Sequence, residues 1–246
     1  MAISNHISTF AGLPVVDYPA PESGPESDPA AVAWRLDDPD YEGGDVFKQQ
    51  LTALAAEEWA GRVTALVIGN WGSSYEAGPP MAELIAVAGR LTALRAIFLG
   101  EMTYEECEIS WINHDDVTPL LVAYPALEVL TIRGSQGLSL TPARYPALRS
   151  LTIESGGLPA AVVRAVGDCD LPALTHLELW LGTDNYGGDA TVDDLRQILT
   201  GTRLPRLITL GLRDAEIADH VAAAVAGAPV VARLEVLDLS LGMLSD

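Results

Sequence analysis

Leu174-Thr175-His176-Leu177-Glu178-Leu179 carries apolar residues at its first, fourth and sixth positions, and the chain repeats this pattern seven times. The other copies occupy residues 63–68, 94–99, 127–132, 148–153, 207–212 and 234–239. Their starts are separated by 31, 33, 21, 26, 33 and 27 residues, spacings of the kind found in stacked strand-and-helix repeats. The fourth and sixth positions share one face of a strand, because side chains alternate with a period of two. Each copy is therefore read as a short strand whose leucines point into a core. The fold class expected is α/β: a solenoid with a curved parallel sheet on its concave side and helices and turns on its convex side, in about seven repeats.

The segments between the copies support that reading. Residues 81–89, 117–123, 160–166, 192–200 and 217–226 suit helices. In 192–199, Val192, Leu195, Ile198 and Leu199 form an apolar stripe, with Thr191 as N-cap and Asp194 as its partner. The 21-residue interval after Leu127 is too short for a full helix, so residues 134–140 should cross as a turn or extended segment. Four copies are preceded by a proline two residues before the first leucine, at Pro125, Pro146, Pro172 and Pro205. Proline ends the previous helix and lacks the amide that a central strand would use.

On these residues the chain resembles the leucine-rich-repeat superfamily, and most closely its ribonuclease-inhibitor-like subclass, bacterial members included. The resemblance covers about residues 63–246 and implies an open scaffold that recognises proteins. One departure stands out. The family usually places Asn or Cys three positions after the last leucine of the phrase, but here that position holds Trp71, Met102, Ser135, Gly156, Gly182, Ala215 and Gly242.

Residues 1–62 do not follow the phrase and are read as an amino-terminal cap, since the end repeats of an array expose an apolar cross-section. Strands are expected at 10–16 and 31–36, a mobile Pro/Glu/Ser-rich loop at 19–29, and a helix at 46–60. At the other end no polar capping repeat follows Leu239. The repeat domain, 63–246, is expected to be truncated within its last repeat or to have that end covered by a partner.

Composition narrows the function classes. The 246 residues carry a formal charge of −20, a field that repels phosphate backbones and anionic membranes. Neither nucleic acid nor a membrane is expected as partner, and a basic or neutral partner is favoured. No apolar run approaches the 18 residues of a membrane-spanning helix. The first residues lack the basic and apolar regions of a secretory signal. Cys107 and Cys169 sit in no C-x-x-C cluster and read as reduced thiols of a cytoplasmic protein rather than a disulfide or metal pair.

Between and after the leucines, three rows of residues should face outward across the sheet. The first runs Ala65, Ala96, Val129, Ser150, His176, Thr209, Val236. The second runs Val67, Phe98, Thr131, Thr152, Glu178, Gly211, Asp238. The third runs Gly69, Gly100, Arg133, Glu154, Trp180, Arg213, Ser240. The candidate partner-binding residues on this concave face are Arg133, Glu154, His176, Glu178, Trp180, Arg213 and Asp238. Trp and Arg are over-represented where binding energy concentrates, and Arg133 beside Glu154 suggests a cross-strand ion pair. A second candidate is the acidic 101–116 loop, with Glu105, Glu106, Glu108, Trp111 and His114. His176 and Glu178 also invite a base-and-carboxylate reading. However, no nucleophile elbow, P-loop or H-E-x-x-H accompanies them. The expectation is a non-enzymatic module binding a protein or peptide, with no cofactor and no assigned metal. The alternatives are a ligand- or metal-binding accessory using the 101–116 loop, and a structural fragment of a larger chain.

Overall fold

The computed structural model describes residues 3–20, 28–40 and 43–245. In chain order the elements are β1 (Thr9–Phe10), β2 (Leu13–Asp17), β3 (Ala33–Leu36), α1 (Asp45–Ala56), β4 (Ala65–Ile68), α2 (Met81–Ala86), β5 (Ala96–Leu99), α3 (Thr118–Ala123), β6 (Val129–Arg133), β7 (Ser150–Glu154), α4 (Ala160–Asp168), β8 (His176–Gly182), α5 (Arg196–Thr200), β9 (Thr209–Ala215), α6 (Ala218–Ala226) and β10 (Val236–Asp238). All ten strands form one sheet in sequence order. Only the β1–β2 pair is antiparallel, and every later neighbour is parallel.

The register follows the phrase. Ala65, Ala96, Val129, Ser150, His176, Thr209 and Val236 are successive partners across β4 to β10. The leucines of the phrase meet Leu51, Leu54, Leu84, Leu120, Val163, Ile198 and Val221 from α1 to α6 in one continuous core. Helices therefore cover one face of the sheet from β3 to β9 except at the β6–β7 crossing, whereas Leu237 of β10, at an inward position of the phrase, is exposed. Burying a leucine of this kind stabilises by about 1.5–3 kcal/mol.

A recurring backbone device sets the register. The amides of Leu94, Leu127, Leu174, Leu207 and Leu234 each close a turn on the carbonyl three residues earlier. The next two amides after such a turn then share one carbonyl of the previous repeat. Arg95 and Ala96 donate to Thr64, Glu128 and Val129 to Arg95, Thr175 and His176 to Arg149. A second device operates where strands end. Gly100 and Gly134 have φ of 85° and 96°, and a Cβ on either would lie 2.5 Å from the Arg133 carbonyl or from Ile112. Three positions after the last residue of the β6 phrase, the Ser135 hydroxyl lies 2.6 Å from that of Ser155 and donates to the Gly157 carbonyl at 2.8 Å.

Most expected helices form near their expected positions, with α2, α3, α4 and α6 starting at 81, 118, 160 and 218. The segment expected as a helix at 192–200 is turn-like until α5 starts at Arg196. Asp194 nevertheless accepts from both the Thr191 amide, at 2.8 Å, and its hydroxyl, at 2.7 Å. Residues 134–140 cross without a helix.

Residues 1–62, expected as a cap, carry β2 and β3 in register with the repeat strands. The buried Asp38 carboxylate accepts from the amides of Gly44, Val46 and Phe47, satisfying donors that the start of α1 leaves open. Most of the loop expected to be mobile, residues 21–27, lies outside the described residues.

The other face of the sheet is divided. Its amino-terminal part, Ala33, Ala65, Val67, Ala96 and Phe98, is buried in a second, smaller core beneath Ile7, Phe10, Leu13 and Val15. Those outward positions are thus covered, because the preceding segment folds back over them. From β7 onward the face is open. β10 has one neighbour, and Val236, Leu237, Leu241, Met243 and Leu244 around it are exposed.

Candidate functional site

On the open part of the face, His176, Glu178 and Trp180 stand at alternate positions of β8, and Arg213 is the β9 partner of Trp180. Glu178 is the hub. Its Oε1 accepts from Trp180 Nε1 at 2.7 Å and from Arg213 Nη1 at 2.7 Å, and its Oε2 lies 3.7 Å from His176 Nε2. The Arg213 guanidinium sits 5.3 Å from the Trp180 ring centroid and reaches Asp238 at 3.2 Å and Ser240 at 3.3 Å. Burial pushes the Glu178 carboxyl upward, but hydrogen bonds from His176, Trp180 and Arg213, with the Arg213 charge, outweigh it and hold the group at about 2. The carboxylate is thus an anchored acceptor. Trp180 is itself buried, so its edge and the half-exposed His176 and Arg213 make the accessible surface.

Arg133 and Glu154 pair as neighbours in β6 and β7, Nε to Oε2 at 2.7 Å. This is not a solvent pair, because Arg133 is 3 % exposed. Arg133 also donates to the Met102 carbonyl at 2.8 Å, lies 5.0 Å from the Phe98 centroid and 3.7 Å from Glu101. Glu101, fully buried, is the centre of a second polar cluster. It pairs with Arg35 of β3, with His6 Nδ1 at 2.9 Å, and accepts the Ile7 amide at 3.0 Å. Asp37, next to this cluster, is pushed up to about 6, chiefly by burial and despite the Asn70 amide bonded to it.

The 101–116 segment separates into inward and outward residues. Glu101, Met102, Cys107, Ile109, Ile112 and His114 are buried, whereas Tyr104, Glu105, Trp111, Asp115 and Asp116 face solvent. Glu106 is tied back by the Thr103 amide and hydroxyl at 2.6 and 2.9 Å, and Glu108 by Ser110 at 3.2 Å. Burial lowers His114 to about 4 against the opposing bond to the Arg133 carbonyl, so its ring is neutral and Nε2 donates at 2.8 Å. Trp111, 61 % exposed, is the accessible aromatic of this segment. Among the described residues, no three His, Cys, Asp or Glu side chains are gathered as a metal would need.

Sequence reasoning missed Arg35, Glu101, Asp37 and His6. The signal for Arg35 was present but degenerate: Ala31-Val32-Ala33-Trp34-Arg35-Leu36 is the phrase with Ala and Trp in place of its first two leucines. For His6, 95 residues from Glu101, no local pattern exists. Charge is also partitioned. None of the fourteen Lys and Arg residues lies in the segments that leave the parallel strands, 37–44, 69–80, 100–117, 134–142, 155–159, 183–191 and 239–245, whereas carboxylates such as Glu76, Glu105, Asp115, Asp184 and Asp189 do. The strand-leaving edge of the sheet is accordingly acidic.

These features define an α/β protein with one mostly parallel ten-stranded sheet, helices along one face and polar clusters on the other. A crystal structure of a protein from Bacteroides fragilis is similar to it, with 30% sequence identity and a TM-score of 0.77 over 85% of this chain. The chain spans about 60% of the length of that protein. No protein-family model and no curated protein matches the chain. Among the described residues no helix is long and apolar enough to cross a membrane.

Proposed function

We propose that this chain is a leucine-rich-repeat solenoid acting as a non-enzymatic module that binds a protein or peptide on the open part of its sheet. The observation that carries the reading is the Glu178-centred cluster. There a guanidinium and an imidazole are pre-positioned on one solvent-facing surface beside the edge of the buried Trp180 ring. Pre-ordered Trp and Arg side chains lose little freedom on association and are the residue types on which binding energy concentrates. Binding suits the chemistry better than catalysis does. A carboxylate held at about 2, with Trp180 and Arg213 both bonded to one of its oxygens, is a poor base at neutral pH. The acidic strand-leaving edge favours a partner with basic groups. The two buried free thiols, Cys107 and Cys169, fit a reducing compartment, and a cytoplasmic location is part of the proposal.

Pull-down from native lysate with wild type and a His176→Ala/Arg213→Ala variant tests the reading, with circular dichroism confirming that the variant is folded. At least one partner captured by wild type should be lost or weakened by tenfold or more. Identical capture by the folded variant would remove this surface as the binding site. The 101–116 loop as a ligand or metal site receives less support, since His114 and Cys107 point into the protein rather than outward.

A further inference from the structure

Residues 3–10 run across the face of the sheet opposite the helices, and their attachment has an unusual chemical requirement. The segment is tied at one end by the Tyr104 amide, which donates to the Ile3 carbonyl at 2.8 Å. At the other end Phe10 packs 5.6 Å from the Phe98 centroid, and the Val15 amide bonds the Ser8 carbonyl at 2.9 Å. Between them stands His6, with Nδ1 2.9 Å from Glu101 Oε2 and Nε2 3.2 Å from Glu106 Oε1. Both ring nitrogens therefore face carboxylate oxygens. A neutral imidazole offers one N–H and one lone pair, so it can satisfy only one of the two; the imidazolium satisfies both.

Neither carboxylate is free to turn away. Glu101 is fully buried and held by Arg35 and by the Ile7 amide. Glu106 is held through its other oxygen by the Thr103 amide and hydroxyl. Glu101 and Glu106 after β5 contact the ring, and Asp37 after β3 is close enough to interact with it; Arg35 in β3 pairs with Glu101, while Asp17 in β2, Arg133 in β6 and its partner Glu154 in β7 complete the charged cluster around Arg35 and Glu101. Carboxyl groups in this cluster therefore outnumber guanidinium groups by five to two.

We propose that residues 3–10 form a proton-latched strap: the protonated His6 ring, clasped between Glu101 and Glu106, holds the strap over Ala33, Ala65, Val67, Ala96 and Phe98, and loss of that proton loosens it. The strap is the lid of the second apolar core, so its release uncovers Phe98 and the small residues beside it. The device concerns β3 to β5 and does not depend on what binds at β8 and β9.

Amide hydrogen exchange on the intact chain tests it, read as protection factors after correction for the intrinsic pH dependence of exchange. The reporters are the Ile7 and Tyr104 amides, with α4 amides such as Val163 as an unaffected reference. Protection of Ile7 and Tyr104 should fall by about tenfold between pH 5.5 and pH 8, the size expected for loss of one charge-assisted hydrogen bond. His6→Gln should give low protection that does not change with pH. Glu106→Gln should do the opposite of a damaging substitution. Its amide can donate to the lone pair of a neutral ring while its oxygen still accepts from Thr103, so protection should persist at pH 8. Flat wild-type protection, parallel pH profiles in wild type and His6→Gln, or loss of protection in Glu106→Gln at pH 8 would each overturn the proposal.

Discussion

The two halves of the sheet use one sequence phrase and meet different surroundings. In β3, β4 and β5 every residue of the strand is buried, because helices cover one face and residues 7–15 cover the other. In β7 burial alternates residue by residue, and in β8 it alternates over the first four. A parallel strand packed on both faces is apolar throughout, whereas a solvated face leaves polar residues at every second position. Ala65-Leu66-Val67-Ile68 and Ser150-Leu151-Thr152-Ile153-Glu154 differ in that way. Apolar residues at the outward positions of β4 and β5 thus coincide with a covered face, whereas Val236, at an outward position of the edge strand β10, is exposed. Over β4 and β5 the cover is the chain itself.

Four outcomes would sharpen or break this contrast, taken from the largest effect downward. Phe98 and Thr152 lie in the same row, one in each half. Phe98→Ala should cost about 3–5 kcal/mol in denaturant unfolding, and Thr152→Ala less than about 0.5 kcal/mol. Equal effects would mean that the strap contributes no second core. Arg133→Ala, at the seam between the halves, should cost about 3–5 kcal/mol, since it leaves the buried Glu101 short of a cation. On the helix-covered face the halves should behave alike, so Leu66→Ala and Leu177→Ala should each cost about 2–5 kcal/mol. A much smaller loss at Leu177 would show that the open half is packed loosely on both faces.

The smallest effect is a difference in acid sensitivity. His114 lies in the segment after β5, and its folded value of about 4 is below its ordinary 6.5. Its contribution is complete above about 6.5 and is lost as pH falls from there toward 4. Glu178, in the open half, is held at about 2 against an ordinary 4.5. Its contribution is complete above about 4.5 and is lost as pH falls toward 2. Denaturant midpoints measured against pH should therefore separate the two groups. His114→Gln, which keeps a donor toward the Arg133 carbonyl, should flatten the slope between pH 6.5 and 4.5. Glu178→Gln should flatten only the slope below 4.5. A slope between 6.5 and 4.5 unchanged in His114→Gln would place that sensitivity elsewhere.

Much of the architecture was legible in the residues. The phrase placed β4 to β10 and their register, because a period of two with leucines on one side allows only one inward face. The Thr191–Asp194 contact was legible for a related reason, since it is settled within three residues, but it closes a turn and does not cap α5, whose N-cap is Leu195. At the candidate site, the alternation placed His176, Glu178 and Trp180 together, and register added Arg213. What stayed hidden was non-local. β2 and β3 join the sheet with a degenerate phrase, because Trp34 replaces a leucine and packs 5.3 Å from Trp59 and 5.8 Å from Tyr18. Burial of His114 and Arg133 was hidden as well, since each depends on the other's loop or strand closing over it.

From the linear pattern alone came the sheet, the inward leucines and the three outward rows, all set by interactions that repeat at short range. The three-dimensional packing assigned those outward positions to a covered half and an open half. It also brought His6 to Glu101 and Glu106 across about ninety-five residues. Burial and charge pairing depend on which distant segments share a face. The recurring phrase Leu-x-x-Leu-x-Leu carries no information about that.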